Sequence, residues 1–166
     1  MNMTHYMELL AANQPWNLLL FMAVPVILAE TVAITELRLL WTRVYAGPWH
    51  AVNRAASILG GLYFAGVFVW LTLHAVIPLT SGGGWRGPAD VIAVLSYLAG
   101  VIPLGAIALI DLGVIARDRD EHARMGLHAA FVGVFLVVTH VAMIFGMMDP
   151  TLLSGAAAPM PGHMGH

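Results

Sequence analysis

The sequence predicts an all-α integral membrane protein, a four-helix bundle with its N and C termini both on the periplasmic side. Three observations carry this. Hydrophobic residues fill 60% of the 166 positions and charged residues only 10%, against about 25% charged in a soluble domain. Uncharged runs cover 55–85, 91–110 and 125–148, each near or above the ~20 residues that a helix needs to cross a bilayer. Six of the seven arginines lie in two short segments. Arg38, Arg43 and Arg54 surround the first connection, and Arg117, Arg119 and Arg124 surround the third.

A soluble fold so poor in charge would expose apolar patches and aggregate. Within lipid, every backbone N–H and C=O needs a partner, which leaves helices or closed barrels. Long apolar runs without alternation exclude the barrel.

Taken in order, residues 1–15 form a Met/His-containing segment with no basic n-region and no cleavage site, so it is not read as a removable signal peptide. The first span, about 16–41, starts after Pro15 and carries Glu30, Glu36 and Arg38. The second covers about 52–78, the third about 89–115 and the fourth about 123–148. Residues 16–148 therefore make one four-helix transmembrane domain, and 149–166 form a flexible Met/His-rich tail. Pro25 and Pro103 fall inside helices, where each frees a carbonyl and bends the axis.

The arginine-rich connections should be cytoplasmic, leaving the termini and the TSGGGWRGP loop (80–88) outside. The location predicted is the bacterial inner membrane, multi-pass. The lipid bilayer is the first partner, with a homo-oligomer or a larger membrane complex as the second. A net charge of −2 gives no reason to expect nucleic acid, and the absence of cysteine removes thiolate metal sites. Small residues four apart, Gly61/Ala65 and Gly126/Ala130, allow close helix approach within the bundle or across a dimer.

A faint repeat runs through the chain. AGVFVWLTLHAVI (65–77) resembles VGVFLVVTHVAMI (132–144), with one residue fewer before the histidine.

Ionisable residues inside a span are costly and are functional candidates by default. At about 1.5 Å rise per residue, they fall into two layers. Toward the outer side lie His74, His140, Met143 and Met147, the last three sharing a face through i, i+3, i+7 spacing, with Met22 not far away. Imidazole with thioether sulfur and no cysteine favours Cu(I), although methionine at helical spacing also serves as core filler. The termini add Met3, His5 and Met7 at one end and Met160, His163, Met164 and His166 at the other. Such flexible tracts suit weak metal capture. The inner layer holds Glu36, Asp111 and His128, read as a structural cluster, a proton-handling group or a second metal site. Glu30, with no basic residue at its depth, would be a mid-membrane relay.

The leading expectation is a membrane metal-handling protein that binds Cu(I) at its periplasmic side for transport or delivery. A different class is a b-type haem electron-transfer subunit with His74 and His140 as axial ligands, beside the small residues Gly66, Gly133 and Ala142. The third is a non-catalytic accessory subunit. No motif of recognised catalytic spacing points to an enzyme.

The opening HYMELLAANQPWNLLLFMAVPVILAETVAITEL (5–37) resembles the start of an uncharacterised bacterial family of small four-helix membrane proteins sometimes labelled "permease". The resemblance is clearest over the first helix. It implies a conveying role, and it transfers no site residue.

Overall fold

Each predicted span is a helix in the computed structural model, which describes residues 3–151. A short helix α1 (His5–Ala11) precedes α2 (Trp16–Thr42), α3 (Pro48–Ser81), α4 (Pro88–Asp111) and α5 (Glu121–Met147). By length and composition, α2 to α5 are able to cross a bilayer. The chain is thus a multi-pass, all-α membrane protein whose outward helix faces contact lipid.

Local chemistry sets the boundaries. Proline stands in the first turn of both α3 and α4, where its missing N–H costs nothing. This starts α3 at Pro48, earlier than the expected 52. Asp120 caps α5 by accepting from the Ala123 N–H at 3.3 Å. Helix α4 ends at Asp111 and not near 115, because Gly113 adopts φ +73° and turns the chain away. The Gly113 and Val114 N–H groups then donate back to Ile110 and Leu109 at 3.0 and 2.9 Å, closing the helix end.

The largest departure from expectation is the N-terminal segment. It was expected to be a flexible tract, yet Thr4 caps a helix that docks on the bundle. The Thr4 hydroxyl donates to the Gly146 carbonyl at 2.7 Å, and Tyr6 and Leu10 are buried. Aromatic and aliphatic burial holds this segment where an unstructured Met/His tract would have nothing to bury.

Helix α2 packs against α3 and α5, and α4 also packs against α3 and α5. Helices α3 and α5 therefore stand on a diagonal. An aromatic column fills the centre: Tyr6 meets Tyr97 at 5.4 Å, Tyr97 meets Phe64 at 5.2 Å, and Phe64 meets Phe135 edge-on at 5.9 Å. Such ring pairs contribute beyond the area they bury. Ile27, Ile34, Leu37, Leu62, Ile102 and Val137 point outward, as lipid-facing residues should.

Two helices contain a wide π turn, Leu19–Ala23 in α2 and Thr72–Val76 in α3. Each ends two residues before a proline, Pro25 or Pro78. A proline removes the donor to the carbonyl four residues back, so both helices loosen ahead of it. In α2 the cost is met by neighbours. Tyr63 donates to the Leu20 carbonyl at 2.8 Å, and the buried Tyr97 hydroxyl donates to the Phe21 carbonyl. Freed backbone groups in a membrane helix need such substitutes.

Of the small-residue pairs, Gly61 serves the bundle itself. A Cβ there would lie 2.5 Å from the Ala108 Cβ and 2.9 Å from the Leu104 carbonyl oxygen, whereas Gly126 has open space. Gly61→Val should therefore force α3 and α4 apart and cost about 1–3 kcal/mol. Thermal unfolding in detergent would register this as a lowered midpoint, with Gly126→Ala left near wild type.

Candidate functional site

Histidine orientation decides what this bundle offers. On α5, His140 Nδ1 lies 2.6 Å from the Leu136 carbonyl, and on α3 His74 Nδ1 lies 2.9 Å from the Trp70 carbonyl. A carbonyl only accepts, so Nδ1 carries the hydrogen, and in the neutral ring Nε2 then holds the lone pair. That is the tautomer a metal needs, with the second nitrogen oriented by a backbone oxygen. The His74 ring also stacks on Trp70, at 4.8 Å and 16°.

The two histidines do not share a cavity. His140 lines a cavity of about 240 Å³ between α2 and α5, together with Met22, Glu30, Thr139 and Met143. His74 lines another, of about 360 Å³, with His5 and Glu8 of α1. The diagonal placement of α3 and α5 explains the separation. Tyr6 and Tyr97 belong to both walls. Burial pushes the Tyr6 hydroxyl up to about 12, so this part of the partition carries no charge near neutrality.

The cavity at His140 gathers much of the constellation expected from sequence. Met22 and Met143 contribute thioethers, and Glu30 stands in the wall, exposed toward the outside of the bundle. Met147 is 66% exposed and lines neither of these cavities. Among the described residues, no group of three or more His, Cys, Asp or Glu side chains is arranged to hold a metal ion. A metal reading must therefore rest on methionine sulfur.

Of the N-terminal candidates, His5 is tied to a carboxylate. The backbone N–H and Nδ1 of His5 both reach the buried Asp90 carboxylate, at 2.6 Å each. The Arg86 N–H adds a third contact to Asp90 at 3.2 Å, and its guanidinium meets Glu8 at 2.5 Å. Met3 is exposed and Met7 half-buried. Met160, His163, Met164 and His166 lie outside the described residues.

At the opposite end of the bundle, Glu36, Asp111 and His128 do come together. His128 Nε2 lies 3.3 Å from Asp111, and Nδ1 lies 3.8 Å from Glu36. Sequence reasoning missed their neighbours Asn53 and Ser57. Ser57 donates to Asp111, and Asn53 donates to the Thr35 hydroxyl at 2.9 Å and the Val32 carbonyl at 3.1 Å. The i, i+4 spacing of Asn53 and Ser57 on one face of an apolar helix is the signal that would have found them. Asp90 was missed because an acid in the first turn of a helix reads as a partner for the helix dipole.

Two outcomes follow from these contacts. Tyr97→Phe strips the donor from the buried Phe21 carbonyl and should cost about 1–3 kcal/mol, seen as a lower unfolding midpoint. Asp90→Ala leaves His5 and Arg86 without their shared acceptor. Hydrogen exchange over residues 5–11 should accelerate while the spanning helices keep their protection.

No curated protein and no solved structure shows significant similarity to the chain. The profile of a family of unknown function, DUF6803, matches residues 1–161, essentially the whole chain, and the protein belongs to that family.

Proposed function

We propose that the protein handles Cu(I) in the bacterial inner membrane, taking the ion at its periplasmic end for transport or delivery. The observation that supports this most is the common cavity of His140, Met22 and Met143, with His140 held in the tautomer that frees Nε2. One imidazole and two thioethers form a soft donor set suited to monovalent copper and poorly suited to magnesium or calcium. Glu30 in the same wall offers a carboxylate for charge balance or proton exchange as the ion moves.

The other expected donors take supporting roles in this reading. His74 opens into the neighbouring cavity and is a docking point on the way to the first. Met147 and the Met/His-rich tail gather the ion weakly from outside, as soft donors beyond the cavity. The positive-inside pattern of the arginines supports the orientation, with both termini periplasmic. The resemblance to "permease"-labelled proteins agrees with a conveying role. A single bundle of four spans is small for a transporter, so passage across the membrane would involve a homo-oligomer or a larger complex.

The test is Cu(I) competition against a chromogenic chelator, using protein purified without a polyhistidine tag. A chain ending at residue 151 should retain tight Cu(I). His140→Ala should abolish it, and Met22→Leu and Met143→Leu should each weaken it roughly tenfold or more. His74→Ala should leave the equilibrium affinity near wild type. Loss of all Cu(I) binding with the tail would reduce the protein to its terminal tract. A Soret band lost in both His74→Ala and His140→Ala would replace copper with haem b and make those residues its axial ligands.

A further inference from the structure

The polar centre at the arginine-bearing end plays no part in the copper reading, and its hydrogen-bond accounting does not close. Glu36 is 2% exposed, and neither of its carboxylate oxygens has a hydrogen-bond partner. His128 is fully buried, and neither ring nitrogen makes an aligned hydrogen bond. All four spanning helices contribute: Thr35 and Glu36 from α2, Asn53 and Ser57 from α3, Asp111 from α4 and His128 from α5.

The donors of α2 and α3 around it are committed, and on α5 the buried Arg124 Nε is unpartnered. Ser57 gives its hydroxyl hydrogen to Asp111, Asn53 gives its amide hydrogens to α2, and Thr35 donates to the Thr31 carbonyl at 2.6 Å. On α5, Arg124 binds Glu121 at 3.0 Å and the Ile110 carbonyl at 3.2 Å. The charged or titratable groups facing Glu36 are therefore Asp111 from α4 and His128 from α5, with Arg124 beyond Asp111. Asn53 and Ser57 from α3 are neutral.

The two carboxylates are not equivalent. Asp111 has the Ser57 hydroxyl on one oxygen and His128 Nε2 at 3.3 Å from the other, as an anion requires. Glu36 has only His128 Nδ1, 3.8 Å away. With Nε2–H turned to Asp111, Nδ1 presents a lone pair, and two acceptors then face each other in a buried site. An ionised, unpartnered carboxylate there would be very costly. One hydrogen between them removes the conflict.

We propose that this centre is a proton-binding site, holding one exchangeable proton between the Glu36 carboxyl and His128 Nδ1, with Asp111 as its fixed counter-anion. The proton resides on Glu36 and donates toward Nδ1. On release it leaves to water at the arginine-bearing end, which is near: Asp111 is the last residue of α4, and Glu36 lies about 9 Å from the end of α2 at 1.5 Å per residue. Asp111 also orients His128, which makes it a positioning residue here. The assignment is independent of copper.

Infrared difference spectroscopy of the whole protein in nanodiscs, titrated through the neutral to alkaline range, reads the proton directly. A carbonyl stretch of a protonated carboxylic acid should be present near neutrality and bleach reversibly as pH rises. It should shift when the protein carries carbon-13-labelled glutamate, vanish in Glu36→Gln and persist in Glu30→Gln. If Glu36→Gln does not fold, the label on wild type together with Glu30→Gln still assigns the band, because Glu8 and Glu121 are half-exposed and paired with arginine. Asp111→Asn should move the pH at which the band bleaches without removing it. The proposal is overturned by the absence of such a band, by a shift with labelled aspartate alone, by loss of the band in Glu30→Gln, or by bleaching with an added metal cation but not with pH.

Discussion

Hydrocarbon offers no hydrogen-bond partner, and that constraint organises this molecule. Proline at positions 25 and 78 opens the helices it interrupts, and in α2 other groups meet the freed carbonyls. The Tyr97 hydroxyl on Phe21 and the Tyr63 hydroxyl on Leu20 do this for α2. They also fix where α2 stands relative to α3 and α4. Because Phe21 and Tyr97 form part of the wall around Met22 and His140, the shape of that cavity follows from the same hydrogen bonds. Backbone satisfaction and site geometry are one problem here.

The two ends of the bundle solve the problem of polarity differently. At the end carrying α1, polar groups are tied into local pairs: His5 with Asp90, Arg86 with Glu8, Thr4 with Gly146. At the other end, a cluster drawn from four helices is buried within the bundle, and one carboxyl is left facing a single imidazole. The first arrangement fastens a short helix over the cavities. The second places titratable chemistry in the core itself.

Much of the fold was legible because length and charge decide it. Apolar runs long enough to cross a bilayer are spanning helices, three of them free of charge and the first carrying Glu30, Glu36 and Arg38. The inner cluster was also legible, since Glu36, Asp111 and His128 are conspicuous in apolar sequence. What could not be read was which helices are neighbours. His74 and His140 stand at comparable depth, but depth says nothing about azimuth, and α3 and α5 proved to lie on a diagonal. Met22 was a marginal candidate for the same reason, until α2 and α5 were seen to form one cavity. The docking of His5–Ala11 escaped notice because seven residues are too few for periodicity to speak. The tie to Asp90 that holds them joins positions 85 residues apart.

The wide turn at Thr72–Val76, which Pro78 loosens, also accommodates one extra residue. A π turn takes one residue more than a regular helical turn. The segment 65–77 carries one more residue before its histidine than its counterpart at 132–144, and α5 runs through that counterpart as an unbroken α-helix. The surplus residue is absorbed in the bulge that bears His74. With it set aside, segments 65–77 and 132–144 fall into register up to their histidines.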